Sequence, residues 1–141
     1  MDNTSQATHN NVHQNPSWSF HCGEGRCYLS LSLWDTGAGL HGLLIGGEEP
    51  HVGGVALAVP RPSLTGEGWS SDCYLIPVPK HKDIELASPL AELLARVVCQ
   101  PVVITAGVHT DALTSDELSE IRENYKQLTE RVTQNFSTNI E

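Results

Sequence analysis

The sequence predicts an α+β fold, a mainly antiparallel β-sheet with two helices packed on one face. Three observations carry that expectation. Strand-like apolar runs broken by Gly and Pro fill the first half, two stripes at helical spacing occupy the second, and one β-branched run lies between the stripes. Four strands followed by helix, strand, helix let the helices gather on one side of the sheet.

Residues 1–17 lack apolar periodicity and contain Asn15-Pro16. They read as a disordered tail before a domain at 18–135, with a short C-terminal tail at 136–141. Arg26 to Trp34 alternates strictly. Cys27, Leu29, Leu31 and Leu33 fall on one face and Tyr28, Ser30, Ser32 and Trp34 on the other, the pattern of a half-buried strand. Asp35 to Gly39 supplies turn residues, and Leu40 to Ile45 resumes the apolar run, predicting a hairpin. Gly46 to Pro50 breaks the chain again, and His51 to Val59 predicts a third strand with Gly53-Gly54 in its interior.

Pro60 to Asp72 has no period and reads as a long loop, and Cys73 to Val78 as a fourth strand with Pro77 and Pro79 at its exit. Ile84, Ala87, Ala91, Leu94 and Val98 recur at helical steps, so Asp83 to Cys99 is an amphipathic helix. Either Asp83 caps it with Pro89 inside, or Ser88 caps a shorter helix with Pro89 in its first position. Val102 to Val108 reads as a strand buried on both faces. Thr114-Ser115-Asp116-Glu117 forms a capping box. The last helix carries Leu118, Ile121, Tyr125, Leu128 and Val132 inward and is expected to end near Thr133.

Composition narrows the function classes. The chain has 141 residues with 17 acidic and 8 basic side chains, a net charge of -9. That is a poor match for the cationic surface that neutralises nucleic-acid phosphates. No apolar run approaches the length of a membrane span, and residues 1–16 show no signal-peptide pattern, so a cytoplasmic protein is expected. Cys22, Cys27, Cys73 and Cys99 read as structural thiols.

No nucleophile elbow, Walker loop or dinucleotide fingerprint occurs. His21, Cys22 and Cys27 could supply zinc ligands, but a second knuckle is missing, and His9 and His13 form the only i,i+4 histidine pair, so no metal site is expected. His51 and His109 flank glycine-bearing apolar segments. Gly53 and Gly54 are read either as a β-bulge or as a flat floor for a planar ligand. Arg61, Lys80 and Lys82 flank the long loop and, with Ser63, are read either as a solvated edge or as a site for one phosphate monoester.

The segments His51-Val52-Gly53-Gly54-Val55-Ala56-Leu57-Ala58, Arg61-Pro62-Ser63-Leu64, Pro79-Lys80-His81-Lys82 and Thr105-Ala106-Gly107-Val108-His109-Thr110-Asp111 carry a resemblance in their order and spacing. Over about residues 51–117 the chain resembles the small D-type component of gallate decarboxylase, a prenylated-flavin chaperone family that accompanies UbiD-type decarboxylases. The resemblance implies a homodimer, similar in fold to proteasome assembly chaperones. It would bind reduced prenylated FMN and hand it to an apo UbiD-type decarboxylase of gallate or hydroxybenzoate without itself being the catalyst. The flavin prenyltransferase is a further implied partner.

On that implication Gly53 and Gly54 approach the flavin, while Arg61, Ser63, Lys80 and Lys82 are candidates for its phosphate. His51, His81, His109 and Asp111 would bond its polar edges. Two rival readings stay open. One is an accessory component of the decarboxylase using His51 or His109 as acid or base; the other is a ligand-free assembly factor using the sheet face around Tyr28 and Trp34.

Overall fold

A computed structural model describes residues 15–138. The expected tail lies outside the described residues up to residue 14, together with the His9–His13 pair, as do residues 139–141. The elements are β1 (Trp18–Cys22), a 3₁₀ turn (Gly25–Cys27), β2 (Leu29–Asp35), β3 (Leu40–Gly47), β4 (Gly54–Pro62), β5 (Trp69–Pro77), α1 (Ile84–Val98), β6 (Val102–His109) and α2 (Ser115–Thr138). They form one six-stranded sheet in the order β1-β2-β3-β6-β4-β5. All pairings are antiparallel except β3 with β6, so the sheet is mainly antiparallel as expected.

The alternation read in β2 is the alternation observed. Leu29, Leu31 and Leu33 are fully buried, and they share their face with Leu44, Ala56, Ala58, Val102 and Ile104. Ala87, Leu90, Ala91 and Leu94 of α1 and Leu128, Val132 and Phe136 of α2 complete that core. Among the described residues no helix lies over the opposite face. Leu43, Ile45, Val55, Leu57 and Val103 lie on it half-buried, and Tyr74 and Ile76 extend it with 61% and 68% exposure. No helix among the described residues is long and apolar enough to cross a membrane.

Several element expectations are corrected. The third strand begins at Gly54, not His51, because Gly53 must turn across the start of α1. The long loop after Pro60 shrinks to a turn at 63–68, since β4 and β5 remain paired out to Pro62 and Trp69. Pro60 and Pro62 are tolerated there because β6 pairs with β4 only from Gly54 to Ala58, leaving that stretch one free edge. β6 is buried at Val102, Ile104 and Ala106 on one face and half-buried at Val103 and Thr105 on the other, because no described element covers the second face of the sheet. Cys99 is exposed rather than buried, in a left-handed conformation that ends α1. α2 runs past Thr133 to Thr138, which lets Phe136 bury and pack edge-on against Trp18, 4.9 Å between ring centroids.

The capping box forms as read. Glu117 N–H donates to Thr114 Oγ1 at 3.1 Å, and Thr114 N–H donates to Glu117 Oε1 at 3.2 Å. Arg26 extends it into a clamp. Its Nε donates to Glu117 Oε2 at 2.7 Å, its Nη1 reaches Glu48, and its Nη2 donates to the Asp111 carbonyl at 2.7 Å. The 3₁₀ turn, the end of β3, the loop after β6 and the start of α2 are thereby held together.

The Arg26 guanidinium, with the Thr114 amide, holds the Glu117 carboxyl below its ordinary value of 4.5. A carboxylate lowered by folding contributes stability that is complete above its ordinary value and is lost as pH falls through the lowered one. Glu117→Gln should therefore lower Tm at neutral pH and flatten its fall on the acid side of 4.5. Thermal unfolding from pH 7 to 3 checks this, and parallel acid limbs in the two proteins would refute the clamp.

Candidate functional site

Asp83 precedes α1 and makes no cap bond to its own helix. Its carboxylate is 95% buried and bonds outward instead: Oδ1 accepts the Val108 N–H of β6 at 2.8 Å, and Oδ2 faces His51 Nε2 at 2.9 Å. His51 Nδ1 donates to the Glu49 carbonyl at 2.9 Å. That carbonyl, with Asp83, raises the imidazole above its ordinary 6.5 against the opposing effect of burial. His81 Nδ1 lies 3.8 Å from the same Asp83 Oδ2, and its ring is 4.4 Å from that of His51. Lys80 just before it takes a left-handed φ of 69°, a conformation uncommon for a non-glycine residue. His109 stands beside them, 6.2 Å from the His51 ring, with Nε2 bonded to Asp111 Oδ1 at 2.7 Å.

The glycines explain how this cluster fits. A Cβ on Gly53 would lie 1.8 Å from Asp83 Oδ2, and a Cβ on Gly107 would lie 1.5 Å from the His51 carbonyl oxygen. Gly53 thus admits a carboxylate and Gly107 admits the passing backbone.

Next to the cluster, α1, the end of β6 and the first turns of α2 enclose a cleft of about 570 Å³. Leu86, Val108, Leu113, Leu118, Ile121 and Tyr125 give it apolar walls. The Tyr125 hydroxyl donates to the Leu86 carbonyl at 2.7 Å, and burial pushes its pKa up to about 12, so the ring is held as an uncharged wall. Lys80, Lys82 and Arg122 also line the cleft, three of the eight Lys and Arg side chains in an acidic chain. Apolar walls with a few convergent polar groups, within the usual volume range, are the attributes of a small-molecule site.

Residues 23–137 match the family model described as the prenylated flavin chaperone LpdD-like domain. The chain belongs to this prenylated flavin chaperone family. Among solved structures it is similar to a chain in the crystal structure of a novel chaperone complex for yeast 20S proteasome assembly. The identity is 14%, the TM-score 0.52, and the match covers 88% of this chain and 96% of that one. At that identity the likeness concerns the fold alone. No curated protein matches the chain.

Not all the residues singled out for a flavin come together in this chaperone. Lys80, His81, Lys82 and His109 line the cleft, with His51 behind it and Asp111 bonded to His109. Gly53 and Gly54 are buried, and the space beside them is filled by Asp83 and by Ile84, so they present no open floor. Arg61 and Ser63 are at the far end of the β4–β5 hairpin, seven strand residues or roughly 23 Å beyond Gly54. There Arg61 Nε donates to Asp72 Oδ1 at 2.9 Å and Ser63 shapes the turn. One phosphate cannot be shared between these two and the lysines.

Sequence reasoning missed Asp83 as anything but a cap, and missed Arg122 and the apolar walls. Leu118 and Ile121 counted as core stripe, and only the 40% exposure of Leu118 marks it as cleft wall. Gly107→Ala should destabilise the fold by about 3 kcal/mol, since the new methyl meets backbone that cannot move aside. Denaturant unfolding measures this, and an unchanged midpoint would refute the close approach.

Proposed function

We propose that this chain carries reduced prenylated FMN in the cleft between α1, the end of β6 and α2, and passes it to an apo UbiD-type decarboxylase. In this role it acts as a chaperone and not as the catalyst. The observation that supports this reading most is the cleft itself, apolar along its walls and cationic at Lys80, Lys82 and Arg122, within the span matched to the family. A prenylated ring system is apolar and planar and is served by Leu86, Leu113, Leu118 and the Tyr125 ring. The phosphate is an anion suited to the Arg122 fork and the two lysine ammonium groups.

A carrier has to release its ligand, and the three cations fit that need. They stand on solvent-exposed side chains, where charge pairing is weakened by water and salt. The sheet face that no described element covers supports a homodimer. Leu43, Ile45, Leu57 and Val103 with Tyr74 and Ile76 form a continuous apolar surface of the kind that a second copy covers.

Anaerobic titration with reduced prenylated FMN, read by native mass spectrometry with FMN as control, tests the proposal. The expected result is a saturable complex at the mass of a dimer. Arg122→Ala combined with Lys82→Ala should weaken it about tenfold or more, whereas Arg61→Ala should leave it unchanged. No saturable complex, or a loss of affinity confined to Arg61→Ala, would overturn the reading.

A further inference from the structure

We propose that His51, His81 and Asp83 form a binding site for a divalent transition-metal ion of the zinc class. Among the described residues these three bring their ligand atoms within 4.8 Å of one another. Around a tetrahedral zinc ion with bonds of about 2.0–2.1 Å, neighbouring ligand atoms are roughly 3.3 Å apart. The observed separations from Asp83 Oδ2, 2.9 Å to His51 Nε2 and 3.8 Å to His81 Nδ1, lie on either side of that value. Adjustments of less than about 1 Å at the side chains satisfy it.

The partners of the three groups distinguish this site from an ordinary ion pair. The Glu49 carbonyl can only accept, so His51 Nδ1 carries a proton and Nε2 presents its lone pair to the carboxylate. That arrangement requires a cation between Nε2 and Oδ2, either a second proton or a metal. One proton completes the His51–Asp83 pair, whereas a metal ion in its place also engages His81 Nδ1, 3.8 Å from the same oxygen, and takes both imidazoles as neutral ligands. The outer contacts are those that orient metal ligands: a histidine whose other nitrogen donates to a backbone carbonyl, and a carboxylate whose second oxygen accepts the Val108 N–H.

The local backbone is built around this geometry. Gly53 leaves room for Oδ2, Gly107 lets the His51 backbone pass, and the left-handed Lys80 turns the chain just ahead of His81. Two imidazoles and one carboxylate suit zinc, cobalt or iron(II) and are a poor match for magnesium or calcium. Three protein ligands leave at least one position open, and His81 and Asp83 both line the cleft, so the free position can be reached from it.

The test uses the full chain carrying His9→Ala and His13→Ala, which removes the other closely spaced histidine pair, stripped of metal with a chelator. Calorimetric titration with Zn²⁺ should show one ion per chain, and Co²⁺ should produce visible absorption of a four- or five-coordinate site. His81→Ala should weaken Zn²⁺ binding about 100-fold or more and remove the Co²⁺ bands, with no change in Tm of the metal-free protein, because His81 is a 36% exposed side chain outside the core. Absence of stoichiometric binding, or equal binding by His81→Ala, would overturn the proposal. Neither result bears on the flavin reading, which does not use a metal.

Discussion

The structure depends on one buried carboxylate. Asp83 sits where the crossover from β5 becomes α1, and it spends its two oxygens on the backbone of β6 and the imidazole of His51. A charge taken out of water at that depth is tolerated only when it is bonded on both sides. Each partner therefore has to be brought to it, and the chain does so by giving up side chains at Gly53 and Gly107. The path of 51–53, the start of α1 and the end of β6 are consequences of satisfying this group. So is the position of the cleft, because α1 and β6 form two of its walls.

Much of the fold was legible because its signals are local. The alternation from Cys27 to Trp34 is a period of two that needs a single buried face, and it is observed in the strand from Leu29, with Cys27 in the preceding 3₁₀ turn; the Thr114–Glu117 box is a short-range exchange of hydrogen bonds and is observed as read. What the sequence did not reveal is non-local. Nothing in Val102–His109 says that it inserts between β3 and β4, parallel to one and antiparallel to the other. The prolines at 60 and 62 suggested a loop because their tolerance depends on β6 ending opposite Ala58, a fact of pairing. The far end of α2 was misjudged because Phe136 finds Trp18 across more than a hundred residues.

The site divides along the same line. His51 and His109 stand out in the sequence beside glycines, Lys80 and Lys82 as cations flanking the long loop, and His81 through the resemblance, and folding gathers all five at one end of the sheet. Arg61 and Ser63 looked equivalent in sequence but are at the other end, because a strand of nine residues separates what a linear reading placed together. Asp83 reads in the sequence as one of two candidate helix caps, with Ser88 the other, and its outward bonds could not be inferred without knowing which strand faces it. Arg122 belongs to a helix face that reads as solvent-exposed until the cleft beside it is seen.

This division separates what the fold supplies from what the cleft supplies. A sheet with two helices on one face is shared with a proteasome assembly chaperone at 14% identity, so the architecture alone does not specify a ligand. In the proposed reading, specificity for a flavin belongs instead to the α1, β6 and α2 walls. Hydrogen exchange with and without reduced prenylated FMN under anaerobic conditions tests this most directly. Protection is expected to concentrate in residues 80–86 and 108–125, around the cleft. Protection confined to the uncovered sheet face, or to the Arg61 end of the β4–β5 hairpin, would contradict it.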